Sequence, residues 1–350
     1  MIWIRVALIN FLLLAIILIS VEASYRVFKT VSSCIEGSCD FEYLKNPNSS
    51  KPIGMAEFNS KIGYVPRKMF KSTISDKRWN GAFVSINKKG FRDNANINIE
   101  FKDLEAILVA GDSFTFGDQV GNAETWPSCL ERGLLKRVDN AGVFGYSVHQ
   151  ALLRIKEELE SLDSNYSKVI LSILVGVDFD RDAYRFKSGF PKSAVILDNN
   201  IIKSSEVPDI HTFGSKFDYK NRVIYGISNY FRIVKYFSNK IEFYKLVSLG
   251  KNEIHPNHID KNTGIKWILK QYSNIPNDKI LLLQYNKNSN SEKVLTERAY
   301  IKKIANQMNI KLIDTFEAVQ SSDYNKNELY FGQHTPLGNS IVCNEILKFF

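Results

Sequence analysis

Short apolar runs separated by longer stretches of helical periodicity fill the second half of the chain. The runs are 106–110, 168–175, 279–284 and 310–314, each as long as a buried strand, with a shorter one at 138–141. Between and after them, apolar residues recur at helical spacing over 123–136, 148–161, 292–308 and 336–349. Alternation of this kind implies βαβ units, so the predicted class is α/β, with a parallel five-stranded sheet covered by helices on both faces. The alternation breaks over 181–270, which reads as a helical insertion. Within it, residues 220–249 interleave aromatics such as Tyr225, Phe231 and Phe243 with Arg222, Arg232 and Lys240. That pattern fits an amphipathic cap packed on the sheet domain, a lid over a site, or a face lying on a membrane.

The N-terminus carries a different pattern. Residues 6–21 are apolar apart from Asn10 and Ser20, and with Ile2 and Ile4 the stretch approaches the ~20 residues of a bilayer-spanning helix. Residues 1–23 therefore read as a transmembrane anchor, with a cleaved signal peptide as the rival reading. Either one sends the remainder across a membrane. Residues 24–100 read as a polar stalk followed by lead-in strands, and 101–350 as the main domain. The expected placement is the inner membrane, single-pass, with that domain on the periplasmic side.

Composition adds limits. The 350 residues are 44% hydrophobic, enough for a sizeable core, and the formal charge is +9. The basic residues are scattered and match no nucleic-acid motif, so a nucleic-acid partner is not expected; a surface near anionic lipid or polysaccharide fits better. Cys34 and Cys39 are spaced to close a small disulfide loop in an oxidising compartment. Cys129 and Cys343 fall in predicted helices, where they read as buried apolar residues. No cysteine pattern suggests zinc.

The chemistry concentrates at the end of the 106–110 run, where Gly111-Asp112-Ser113 leads into Phe114-Thr115-Phe116-Gly117. In an α/β sheet, ligands bind at the carboxyl ends of strands. Gly111 permits a sharp turn, Asp112 can bind nearby backbone amides to fix it, and Ser113 is left where a nucleophile would stand; an ordinary turn with Ser113 as helix N-cap is the plainer alternative. A serine nucleophile needs a base and donors for the oxyanion. His334, in Gly332-Gln333-His334-Thr335-Pro336, follows the last predicted strand and would reach the same rim. The donors would be backbone N–H groups of Ser113 and of the turn Asn140-Ala141-Gly142-Val143-Phe144-Gly145, where Gly145 allows close approach. His255 and His258 read as exposed turn residues, and His149 as structural or a rim residue.

Gly111-Asp112-Ser113, Asn140-x-Gly142-x-x-Gly145-Tyr146, Val177-Asp178-Phe179-Asp180-Arg181, and His334 with Pro336 and Gly338 occur in order. Together they resemble the SGNH (GDSL) hydrolase superfamily. The lead-in Gly63-Tyr64-x-Pro66 and Asn87-x-x-Gly90-Phe91-Arg92 is similar to that of its membrane-anchored bacterial members. The resemblance, over roughly 60–350, implies a flavodoxin-like three-layer α/β/α sandwich. It also implies ester hydrolysis or acyl transfer, commonly on carbohydrate O-acyl groups, with neither metal nor nucleotide cofactor. Ser113 would be nucleophile and oxyanion donor, Gly145 the second donor, and His334 the base. Two positions depart from the family pattern. Val177-Asp178 stands where an Asn-Asp pair supplies a third donor. Phe331 and Gly332 stand where an orienting aspartate precedes the histidine, leaving Glu328, Asp323 or an unaided Ser–His pair. Two functions follow: an esterase or O-acyltransferase acting on an acylated envelope glycan, or a catalytically impaired glycan-binding or assembly protein.

Overall fold

A computed structural model describes residues 2–35, 55–72, 82–95, 105–162, 164–187, 190–208 and 252–350. The apolar runs become β1 (Ala106–Ala110), β2 (Val138–Asn140), β3 (Tyr166–Leu174), β4 (Asp278–Gln284) and β5 (Lys311–Asp314). They pair in the spatial order β5–β4–β3–β1–β2, every pair parallel. This is the flavodoxin-like order, in which the sheet reverses direction of growth between β1 and β3 and opens a crevice beyond their carboxyl ends.

Alternation along the strands assigns the two faces. Leu108, Val169, Leu171, Leu281 and Leu283 belong to a core that includes residues of α4 (Val148–Leu159), α5 (Lys261–Ser273) and α6 (Glu292–Gln307). Ile107, Val109, Ile170, Ile280 and Leu282 face the other way, onto α3 (Trp126–Leu134) and α7 (Pro336–Leu347). The three-layer arrangement follows from period-2 burial on a sheet covered on both faces.

Residues 1–54 with 209–251, and 55–208 with 252–350, form two compact units. The first contains α1 (Ile2–Ile35). The transmembrane helix expected over residues 1–23 is not found: among the described residues no helix is long and apolar enough to cross a membrane. The polar stalk does not begin at residue 24 either. The helix continues unbroken past Glu22 and Arg26, whose ion pair of 2.7 Å at i, i+4 spacing supports it. Cys39, and with it the expected Cys34–Cys39 loop, lies outside the described residues, as do 220–249.

The insertion differs from the helical expectation where it is described. Residues 184–204 form short antiparallel strands, Tyr184–Lys187 with Phe190–Pro191 and Val195–Asp198 with Ile201–Ser204. Helical structure resumes with α5, whose Asp260 N-cap accepts from Thr263. A second correction concerns Cys129 and Cys343. They are not free apolar residues but a disulfide joining α3 to α7 across a sequence separation of 214 residues. Two distant helices of the same face bring them together, which local sequence does not reveal.

Candidate active site

The chain turns at Gly111 directly after β1, and α2 (Ser113–Phe116) begins. Asp112, not Ser113, is the N-cap: its Oδ1 accepts from the Phe114 N–H at 2.9 Å. Ser113 is therefore the first helical residue, beyond the carboxyl end of β1. Its hydroxyl donates to Asp112 Oδ2 at 3.4 Å.

Arg181 binds the same carboxylate. It stands in the 3-10 turn after β3, and its Nη1 donates to Asp112 Oδ2 at 3.1 Å, Asp178 Oδ1 at 2.7 Å and the Tyr146 carbonyl at 2.9 Å. Asp178 is buried, and its Oδ2 accepts from the Leu174 N–H at 2.8 Å. Burial and the neighbouring Asp112 push the Asp178 carboxyl well up, which favours its neutral form. Burial lowers Arg181, but Asp178 and Asp112 outweigh it and hold the guanidinium above its ordinary value. The sequence marks Arg181 only through its i, i+3 spacing from Asp178, and its contact with Asp112 is tertiary.

His334 arrives in a hairpin, Tyr330–Phe331 paired with Gln333–His334. Its ring is 4.8 Å from that of Phe114 and 5.1 Å from that of Tyr330, edge-on to both. The residue after Ser113 thus touches the candidate base. Burial drives the imidazole down to about 4, and the backbone of Gly338 and Tyr285 offsets this only in part. At neutral pH the ring is unprotonated. Neither ring nitrogen makes a hydrogen bond of ordinary geometry, and among the described residues no carboxylate engages it. Glu328 is exposed and its carboxylate caps the short helix Lys326–Leu329, accepting from the Asn325 N–H at 2.8 Å. Asp323 is exposed as well.

The loop 141–146, where the sequence places the second oxyanion donor, follows β2 and is bound to the serine turn. The Val143 N–H donates to the Gly111 carbonyl at 3.0 Å, and Asn140 Nδ2 to the Thr115 carbonyl at 3.0 Å. A Cβ on Gly142 would fall 2.5 Å from the Phe116 nitrogen, so only glycine lets this loop lie against α2. Gly145 has φ +73, a conformation glycine adopts without penalty. The structure therefore gathers Ser113, Asp112, Asp178, His334 and the Gly145 loop around one end of the sheet, while the Glu328 carboxylate is taken up by the Asn325 N–H.

Arg92 supports the turn from behind. It is buried and donates to Asn122 Oδ1 and to the carbonyls of Phe116, Gly117 and Val120 at 2.7–3.3 Å. A cavity of about 190 Å³ opens beside the Arg181 turn, lined by residues including Phe179, Asp182, Val195 and Ile259 but neither Ser113 nor His334. His255 and His258 close a turn together, His258 Nδ1 lying 2.9 Å from the His255 carbonyl. Among the described residues no group of three or more His, Cys, Asp or Glu is placed to hold a metal ion.

No family profile and no characterised protein sequence matches the chain. Solved structures do. An alpha/beta hydrolase enzyme from the metagenome of Lake Arreo, Spain, is 12% identical, covers 72% of this chain and 97% of its own, and has a TM-score of 0.41. A putative lipolytic protein of the G-D-S-L family from Desulfitobacterium hafniense is 13% identical over 70% of this chain and 99% of its own, with a TM-score of 0.40. A catalytic mutant of an acetylxylan esterase from Geobacillus stearothermophilus is 14% identical over 70% and 94%, with a TM-score of 0.37. These are distant structural likenesses.

Proposed function

We propose that the protein is an exported serine esterase or O-acyltransferase that acts on acyl esters of an envelope glycan. The observation that carries this is the edge-on contact of His334, unprotonated at neutral pH, with Phe114, the residue next to Ser113, at 4.8 Å. In the productive state the Ser113 hydroxyl leaves Asp112, donates to His334 and attacks the acyl carbonyl. His334 takes the proton, while the N–H groups of Ser113 and Gly145 receive the oxyanion. The ester C–O bond breaks, and His334 returns the proton to the departing alkoxide. Water or a sugar hydroxyl then attacks the acyl-enzyme by the same route in reverse. The imidazolium formed on the way has no carboxylate partner among the described residues, a loss that costs up to ~10⁴ in rate where it has been measured. Slow turnover is the expectation.

Export is supported by the Cys129–Cys343 disulfide, a pairing that persists in oxidising compartments. An alkaline phosphatase fusion after Phe350 should be active; a silent one, paired with a fluorescent cytoplasmic reporter fusion, would reverse the placement.

A fluorophosphonate probe tests the chemistry. The wild-type chain should be labelled at Ser113 and hydrolyse p-nitrophenyl acetate slowly, and Ser113→Ala should do neither. A second reading, a glycan-binding or assembly protein without turnover, is favoured by the Ser113 hydroxyl pointing to Asp112 rather than His334. It expects acyl esters left intact and glycan binding retained in Ser113→Ala.

A further inference from the structure

Three consecutive carbonyls of the oxyanion loop each accept a hydrogen bond from a side chain of a different part of the fold. Tyr64 Oη donates to the Phe144 carbonyl at 2.8 Å, Lys192 Nζ to the Gly145 carbonyl at 2.8 Å, and Arg181 Nη1 to the Tyr146 carbonyl at 2.9 Å. Tyr64 comes from the lead-in strand Gly63–Pro66, Lys192 from the insertion, and Arg181 from the turn after β3. Tyr64 and Lys192 are buried, and Arg181 nearly so.

Lys192 is the least expected of the three. It is 0% exposed, and among the described residues it forms no ion pair. A lysine in that position is costly unless its donor does something burial alone would not require. Burial, reinforced by Arg181, moves its ammonium well below the ordinary value, which lightens the cost without removing it. Tyr64 also packs on the segment that carries Lys192, its ring standing 4.6 Å from that of Phe190, two residues before Lys192.

In a trans peptide the C=O and N–H point in opposite directions. Holding the Phe144 carbonyl at the Tyr64 hydroxyl therefore sets the direction of the Gly145 N–H, and holding the Gly145 carbonyl at Lys192 fixes the next peptide plane. Gly145, at φ +73, would otherwise be the softest joint in the loop. The geometry points to Tyr64, Lys192 and Arg181 as positioning residues that clamp the loop so that the Gly145 N–H is preset as an oxyanion donor. The inference rests on the proposed ester chemistry and deepens it. Because Lys192 belongs to the insertion, the clamp also makes the donor depend on the insertion being folded in place. It further compensates for Val177, which supplies no side-chain donor: fewer donors put more weight on the aim of those that remain.

The test uses the full chain and two readouts. Tyr64→Phe keeps the ring and removes one hydroxyl; Lys192→Met keeps the length and removes the donor. Hydrogen exchange over 142–147 should quicken at least ~10-fold in each, while thermal melting shows both folded. With p-nitrophenyl acetate, kcat should fall ~10–100-fold with KM within about twofold, since a displaced donor acts on the transition state. Lys192→Arg should recover both. If Lys192→Met does not fold, Tyr64→Phe alone decides. Unchanged exchange in the folded variants would overturn the clamp. Faster exchange with unchanged kcat would overturn its part in turnover. A wild-type chain with no Ser113-dependent turnover would remove the underlying function, and exchange alone would then decide whether the three donors hold the loop.

Discussion

Arg181 Nη1 stands 3.1 Å from Asp112 Oδ2, so the guanidinium of one strand-end turn is tied to the carboxylate that caps the helix presenting Ser113. The same nitrogen holds the Tyr146 carbonyl and Asp178. The two crevice-forming strand ends, of β1 and β3, are joined by this one side chain.

Removing that side chain leaves two buried carboxyl groups facing each other. Arg181→Met should lose about 3–5 kcal/mol of stability, the usual consequence of breaking a buried pair by deleting one partner. Urea unfolding at pH 7 measures it. Arg181→Lys should recover only part, because an ammonium lacks the planar fork.

The pH dependence of activity should be set by a histidine held near 4. With His334 as base, kcat/KM should stay level from pH 8 down to about 5.5 and fall only as the ring begins to protonate. An acid limb centred near 6.5 would show that His334 is not the base.

Stability has its own acid dependence, through His149. Its ring is buried, rests 5.7 Å from that of Trp267, and is lowered from 6.5 to about 3 by burial and by Lys156. Between those values the unfolded chain binds the proton and the folded one does not, so stability falls as pH drops from 6.5 towards 3. Asp182, which accepts from the His149 N–H, acts in the opposite sense. Burial raises it from 3.8 to about 7, so its contribution is full below 3.8 and is lost as pH rises through 7. His149→Leu removes only the first effect. Relative to wild type, the variant should gain about 2–3 kcal/mol on going from pH 7 to 4.5, read from paired urea titrations. Parallel titrations would contradict it.

The disulfide should matter through the chain it closes. Cys343→Ala should cost about 3–5 kcal/mol, since the bridge spans 214 residues and restricts the unfolded state accordingly. Unfolding midpoints with and without reductant should show a loss of that size in the wild-type chain and a much smaller effect of reductant in the variant.

Gly142→Ala should damage the site more than the charge variants do. The added methyl would meet the Phe116 nitrogen at 2.5 Å and Thr115 backbone at 2.8 Å, so the loop must move off α2. Fluorophosphonate labelling at Ser113 should drop by at least ~10-fold, with folding confirmed by the melting curve.

What the residues alone determined is local. A run such as Ala106–Ala110, apolar at every position, five residues long and ended by glycine, reads as a strand buried on both faces, and helical periods between such runs leave a parallel sheet as the economical arrangement. Element ends moved by a few residues, as at α3, where the Thr125 N-cap and Pro127 set the start. That the turn carrying Ser113 and the loop carrying His334 would adjoin was legible, because a strand end and a final loop are places that topology brings together. The insertion was not, because short antiparallel strands pair with partners that no period announces.

Tertiary structure decided the rest. Glu328, the acid that sequence offered for His334, is spent on a helix cap three residues away, and nothing else among the described residues takes its place. Cys129 and Cys343 became a disulfide because two helices on one sheet face converge. Arg181, Lys192 and Tyr64 acquired their roles from backbone carbonyls, which carry no sequence signature. A carbonyl is the same at every residue, so only the folded chain says which side chain will find it.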